Sequence, residues 1–376
     1  MNELTSRERV LRLLQGQPID RMPVAPRVFQ NVVFEFLQRT DVDVVEGTAK
    51  YCRHFGFDII DWSCTPPYED LNIEGPNWTP VIAQETKGNT RYDIVTVKTP
   101  GGELRRVFST TQTGKWEIET ALTEYPIKTE RDFELFVEYQ PPVPPLDTTI
   151  LQRAKQIIAD DGIVNPSVHG PFNTLVYCYR KLDDLLTDIV VNPEFYQRMI
   201  EYFMARVMKY TQQIIDAGVP LIDIGANVAN AKLVSPAFWV KHMLPYENRF
   251  VDFIQDQGVV GLLHQCGYAA NHLDVYPMLH HQGWGYLTPA PHGDTVLEEA
   301  LRKVPTHWIL WGNLDQIDFL RKATPQEVSE RVRQVATAVK ARGNFILGTS
   351  DYLEVNTPSE NLRAFVEAGH KYGSYV

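Results

Sequence analysis

With 376 residues, 44% hydrophobic and 22% charged, the chain has ample material for a buried core and the length of one large domain or two ordinary ones. A formal net charge of -11 with no block of basic residues argues against a phosphate-backbone partner. No apolar signal core opens the chain and no apolar run nears the ~20 residues of a membrane span. Four scattered cysteines (Cys52, Cys64, Cys178, Cys266) suit a reducing, cytoplasmic setting better than a disulfide framework.

The first expected element is a helix in which Thr5 and Glu8 have capping-box spacing, Val10, Leu13 and Leu14 form the apolar stripe, and Gly16 stops it. A short extended run follows at Met22 to Ala25, then a helix ending near Gly56 and a strand over Phe57 to Trp62. Alternation around Tyr92, Ile94 and Thr96, with Pro100-Gly101-Gly102 as the turn before Leu104 to Phe108, predicts a β-hairpin or small meander inserted over about residues 78–122. The prolines of 141–145 form a stiff connector.

From residue 147 the pattern becomes regular. A helix runs from Ile150 to Gly162, and a strand covers Ile163 to Val168. A longer helix begins with Asn192 as cap and Pro193 at its first position, and closes at Gly218. Strands are expected at Leu221 to Ile224, Val259 to Leu263, Gly283 to Leu287, Thr306 to Trp311 and Asn344 to Leu347. Ser235-Pro236 starts a helix between the first two of these. Thr324-Pro325-Gln326-Glu327 and Thr357-Pro358-Ser359-Glu360 start the last two helices with one shared signature. About eight strands, nearly all followed by helices, predict an α/β fold closed as a (β/α)8 TIM barrel. A doubly wound open sheet is the alternative, but no dinucleotide-binding glycine fingerprint follows the first strand.

Barrel enzymes carry function on the carboxyl ends of their strands. The residues there include Asp61 and Cys64, His169, Asp223 to Asn227, His264 and Cys266, Asn313 and Asp315, and Thr349 to Asp351. His264-Gln265-Cys266-Gly267 stands out. In extended backbone, residues two apart project to one side, so an imidazole and a thiolate can converge on one ion, and that pairing selects zinc over harder cations. A buried cysteine as a small hydrophobe is the alternative. Asp223 is a candidate to orient substrate or a proton, or else a helix-capping or salt-bridging group. Asn227 shares that candidacy, and His169 is either a substrate hydrogen-bonder or packed. Asn313 and Asp315 are expected to shape a loop, and His280, His281 and His292 to lie at the surface. Trp62, Trp284, Tyr286 and Trp311 are read as core or as an arene pocket.

The order of these signals resembles the uroporphyrinogen decarboxylase-like superfamily, and more closely its methylcobamide-dependent methyltransferases. The likeness runs through Ser6-Arg7-Glu8-Arg9-Val10, Asp20-Arg21-Met22-Pro23-Val24, Gly170-Pro171-Phe172, Asn192-Pro193-Glu194 and Leu244-Pro245-Tyr246. It continues through His264-Gln265-Cys266-Gly267, Gly312-Asn313-Leu314-Asp315 and Thr357-Pro358-Ser359-Glu360-Asn361. It implies a single zinc-binding TIM-barrel domain over residues 1–376, with His264 and Cys266 as ligands, that moves a methyl group to or from the cobalt of a corrinoid protein. The implied partners are a small methyl donor, expected to be an O-methyl compound, or a thiol acceptor, together with a separate corrinoid protein, since no D-x-H-x-x-G segment is present. A homodimer is a possible assembly.

Two departures from the family pattern matter. The relatives' last cysteine is missing from Gly348-Thr349-Ser350-Asp351, which leaves Asp351, Cys64 or His169 as third ligand, Asp351 first. Asn227 stands where the relatives often carry an acid. A true decarboxylase would need an arginine- and glycine-bearing loop after the first strand, and Pro23 to Phe29 keeps only Arg27. A metal-free decarboxylase of a polycarboxylate and a non-catalytic docking partner are the alternatives.

Overall fold

The computed structural model describes residues 3–68 and 70–375. Twelve strands run through them: β1 (Ile59–Asp61), β2 (Thr79–Lys87), β3 (Thr90–Thr99), β4 (Gly102–Gln112), β5 (Ile118–Glu124), β6 (Gly162–Val164), β7 (Ser167–His169), β8 (Leu221–Gly225), β9 (Val260–His264), β10 (Gly283–Leu287), β11 (Ile309–Leu314) and β12 (Phe345–Thr349). The chain divides into two compact units: Met1–Pro66, Thr148–Val168 and Ile214–Val376 form the first, Pro67–Asp147 and His169–Gln213 the second.

The first unit is a parallel α/β assembly. β7 to β12 form one sheet in chain order, and β1 pairs with β6. The β1–β6 approach requires a glycine, because a Cβ on Gly162 would lie 1.9 Å from the Ile59 carbonyl oxygen. Pro166 has no N–H to donate and separates β6 from β7. The expected single strand Ile163 to Val168 is therefore two short ones. Val24 bridges Leu347 of β12 and accepts a hydrogen bond from the Asp58 N–H beside β1. Asn165 N–H donates to Asp61 and Asp223 N–H to Pro166. The core of the unit gathers Ala25, Ile60, Ile163, Leu262, Trp311 and Ile346, with Val10 and Leu13 of the first helix packed into it. That helix, Ser6–Leu14, has the expected capping box between Thr5 and Glu8.

The second unit holds the inserted sheet, an antiparallel meander in the order β2-β3-β4-β5. It is larger than a hairpin. Its aromatic core stacks Tyr179 on Phe203 (ring centroids 3.6 Å) and sets Phe136 edge-on to both. Asp70 is buried there, held by Arg206 through both carboxylate oxygens and by the Tyr179 hydroxyl.

Several expectations shift. The strand expected over Thr306 to Trp311 begins three residues later, because Pro305 and Trp308 make a turn first. Thr324 forms the expected capping box, but Thr357 does not cap the last helix; its hydroxyl donates back to the Glu354 carbonyl, and Pro358 occupies the cap position. His280 is exposed as expected, whereas His281 is only 1% exposed and neither ring nitrogen has a hydrogen-bond partner. Trp284, Tyr286 and Trp311 are core residues.

Candidate metal centre

β9 ends on His264, and the segment from His264 to Gly267 is pinned from both sides. The His264 carbonyl accepts from Ala226 N–H and the Gln265 carbonyl from the Trp284 indole, while Gly267 N–H donates to the Thr288 hydroxyl. Gly267 then turns the chain at φ +78°, open to glycine at little steric cost. A ring nitrogen of His264, the Cys266 sulfur and a carboxylate oxygen of Asp351 lie within 4.8 Å of one another. Tetrahedral zinc with bonds of about 2.0–2.3 Å would ask for donors roughly 3.5 Å apart, so a small contraction suffices. Asp351 lies two residues beyond the end of β12; its side chain is 30% exposed, against 10% for His264.

Around this set sits a buried charged group. Asp223, the middle residue of β8, approaches His264 Nδ1 at 2.9 Å through Oδ2. Arg27 Nη1 lies 2.7 Å from the same Nδ1 and 3.2 Å from the same Oδ2. A carboxylate only accepts and a guanidinium only donates, so one ring proton suits one neighbour and not the other. The tautomer that donates Nδ1–H to Asp223 leaves the lone pair on Nε2, the arrangement in which a carboxylate orients a metal-binding histidine. Burial alone would raise the Asp223 carboxyl; His264 and Arg27 outweigh it and hold the pKa below the ordinary range. Arg27 is itself sandwiched between Trp62 and Tyr286, 4.6 and 4.5 Å from the ring centroids.

The Cys266 thiol is pushed up by burial and, next, by the Asp351 carboxylate. Such a thiol gives up its proton only to strong positive charge, which is what a bound cation supplies. Asn227 Nδ2 donates to its sulfur at 3.6 Å. Asp223 Oδ1 and both amide atoms of Asn165 are buried with no hydrogen-bond partner among the described residues. The donors, their depth and this spare hydrogen-bonding capacity fit a zinc-type centre.

The remaining sequence candidates fall elsewhere. Cys64 is fully buried, its sulfur facing the Asp61 carbonyl at 3.4 Å, and it is outside the donor set. Asp61 is pushed up to about 6 by burial, with one oxygen capped by Ser63 N–H. His169 belongs to the second unit, where its ring stacks on Tyr177. Asp315 shapes the loop after β11 by accepting from the N–H groups of Ile317 and Asp318, whereas Asn313, expected in that loop, lies inside β11 and accepts from Arg331. Sequence reasoning missed Arg27 as a partner of His264. The signal was available, since Arg27 follows the first extended run as the other candidates follow theirs.

Residues 117–372 match the model of the uroporphyrinogen decarboxylase (URO-D) family. The chain belongs to that family. Over 389 residues it is 23% identical to the methylcobamide:CoM methyltransferase MtbA of Methanosarcina mazei, covering 99% of both chains. It is 22% identical over 279 residues to the uroporphyrinogen decarboxylase of Prochlorococcus marinus, covering 69% of this chain and 73% of the relative. A solved methyltransferase from Methanosarcina mazei superposes with a TM-score of 0.71 at 15% identity, covering 98% of this chain and 99% of that one. That likeness speaks for the fold. Among the described residues, no helix is long and apolar enough to cross a membrane.

Proposed function

We propose that this chain is a zinc-dependent methyltransferase that moves a methyl group between a small methylated donor and the cobalt of a separate corrinoid protein. The observation that carries this reading is the convergence of His264, Cys266 and Asp351 at the carboxyl ends of two parallel strands. The full-length match to a methylcobamide methyltransferase supports the reaction class. We also propose that the parallel strands close as a (β/α)8 barrel within a single family domain. The hydrogen bonds that link β12 to Val24, Val24 to the start of β1, and β6 to β8 through Pro166 support that closure.

In this reading His264, Cys266 and Asp351 hold zinc, which would supply Lewis acidity toward an ether oxygen or an acceptor thiol. Asp223 keeps the Nδ1 proton of His264 and so presents the other ring nitrogen to the ion. Arg27 balances Asp223, and Asn227 tempers the charge on the Cys266 sulfur by donating to it. A carboxylate in place of the relatives' second cysteine makes a harder centre, which favours oxygen donors and hence O-demethylation. Free, scattered cysteines support a cytoplasmic setting. A decarboxylase reading would want a cationic cradle for a polycarboxylate, yet among the described residues the guanidinium that meets His264 is that of Arg27, already committed to Asp223.

Metal content decides first: purified protein is expected to carry one zinc per chain, and Cys266→Ala to lose it together with methyl transfer to a Co(I) corrinoid protein. A metal-free protein that is indifferent to Cys266→Ala ends the proposal.

A further inference from the structure

A cavity of about 170 Å³ opens beside the donor set, lined by Cys266 and Asp351 together with His292, Asp315 and Gln316. Its hydrogen-bonding character is one-sided. Asp315 spends one carboxylate oxygen on the Ile317 and Asp318 N–H groups, at 2.9 and 3.1 Å, and keeps the other. Gln316 is 4% exposed, and its Oε1 has no hydrogen-bond partner among the described residues. His292 Nε2 lies 2.8 Å from Asp318 Oδ2; because the carboxylate can only accept, Nε2 carries the proton.

The hydroxyl protons of the wall are already used. Thr288 donates to the Tyr286 carbonyl at 2.9 Å while accepting from Gly267 N–H, and Ser350 donates to the Leu314 carbonyl at 2.9 Å. No lysine or arginine is among the residues lining the cavity. Two acceptors are left over, Gln316 Oε1 and one Asp315 oxygen, and the Gln316 Nε2 amide is the side-chain donor that accompanies them. A buried acceptor left unmet is costly, and an anionic ligand would add another acceptor beside the Asp315 carboxylate.

We infer that the methyl-bearing substrate is a small molecule with hydrogen-bond donors, hydroxyl or ammonium, aimed at Gln316 and Asp315, and with no anionic group. The inference takes the word substrate from the methyl-transfer reading; the chemistry of the wall stands without it. Ethers and thiols that carry a carboxylate or sulfonate fit this cavity poorly beside the Asp315 carboxylate.

Isothermal titration of the full-length, zinc-replete protein tests this with four probes of similar size: glycerol monomethyl ether, methoxyethylammonium, methoxyacetate and mercaptoethanesulfonate. The first two are expected to bind, and the two anions at least about tenfold more weakly. Gln316→Leu should weaken the binding probes about tenfold while leaving zinc content and the circular dichroism spectrum unchanged. Asp315→Asn should weaken the ammonium probe more than the ether, which separates the two donor types. Anions that bind as well as the others, unchanged binding by Gln316→Leu, or no binding by any probe each overturn the inference. Selective binding with no methyl reaching a Co(I) corrinoid protein removes the methyl-transfer reading and leaves the pocket's preference intact. Transfer from anionic donors does the reverse.

Discussion

The first unit contains two buried charge clusters at opposite ends of its strands, and they are built on different terms. At the amino end, Arg9 reaches Asp20 through Nε and Nη2 and Asp58 through Nη1, and its Nη2 also meets the Leu4 carbonyl. Asp58 adds Arg21, the Ser6 hydroxyl and the Val24 N–H. Every side-chain nitrogen and oxygen of Arg9, Asp20 and Asp58 has a partner. At the carboxyl end, Arg27, Asp223 and His264 are as deeply buried, yet Asp223 Oδ1, the Asn165 amide, Asn313 Nδ2 and Gln316 Oε1 go unmatched. A closed network fixes the chain. An open one keeps directed polar groups for a ligand, and a protein tolerates that cost where function needs it.

Breaking each cluster should therefore read out differently. Asp58→Asn leaves Arg9 and Arg21 short of a buried counter-charge, and the expected loss is about 3–5 kcal/mol of unfolding free energy, measured by urea denaturation. The fraction that stays folded should bind zinc as before. A loss under about 1 kcal/mol would mean that the amino-end network does not hold the fold. Asp223→Asn acts on the other cluster, where the orienting carboxylate becomes a neutral amide that still reaches His264. Zinc affinity should drop about 10–100-fold, followed by competition with a chelating dye, with less stability lost than in Asp58→Asn. If the two variants prove alike in both measurements, the contrast between the clusters fails.

The sequence made much of this legible, for local reasons. Helix starts such as Thr5 to Glu8 and Thr324 to Glu327 are short-range hydrogen-bond motifs, and both formed. The expectation that His264 and Cys266 face one ion rests on strand alternation, although β9 stops at His264, and that of Asp351 rests on its distance to the last helix. What stayed hidden depends on residues far apart in the chain. Arg27 lies 196 residues from Asp223 and 237 from His264; its place after the first extended run puts it among the strand-end candidates but does not name its partners. Gln316 looks like an ordinary loop amide until the cavity beside it is known. Thr357 carries the same signature as Thr324, but the preceding chain turns back and takes its hydroxyl for Glu354. His281 sits in a polar His-His pair that reads as surface, yet the backbone carries the second ring inward just before β10.

His281 supplies the smallest of the three tests and sharpens the comparison, because it is a buried ionisable group with no partner at all. Burial pushes its pKa down to about 3, with His280 adding to the shift. A histidine whose folded pKa lies below its unfolded value binds its proton more readily in the unfolded chain. Its neutral burial is therefore fully tolerated above about pH 6.5, and stability is lost progressively as pH falls from there towards 3. By pH 5.5 the loss should reach ~1.4 kcal/mol, and His281→Leu should flatten that part of a pH series of urea melts. Asp20, held at about 2 against the opposing effect of burial by Arg9 and two backbone N–H groups, acts in a separate window: its contribution is intact above about pH 4 and fades only as pH falls through about 2. A mild-acid limb that His281→Leu leaves unchanged would shift the acid sensitivity to other groups. A limb that disappears would show that in the pH 5 to 6.5 range the unpaired ring, and not the paired amino-end network, sets the stability of the first unit.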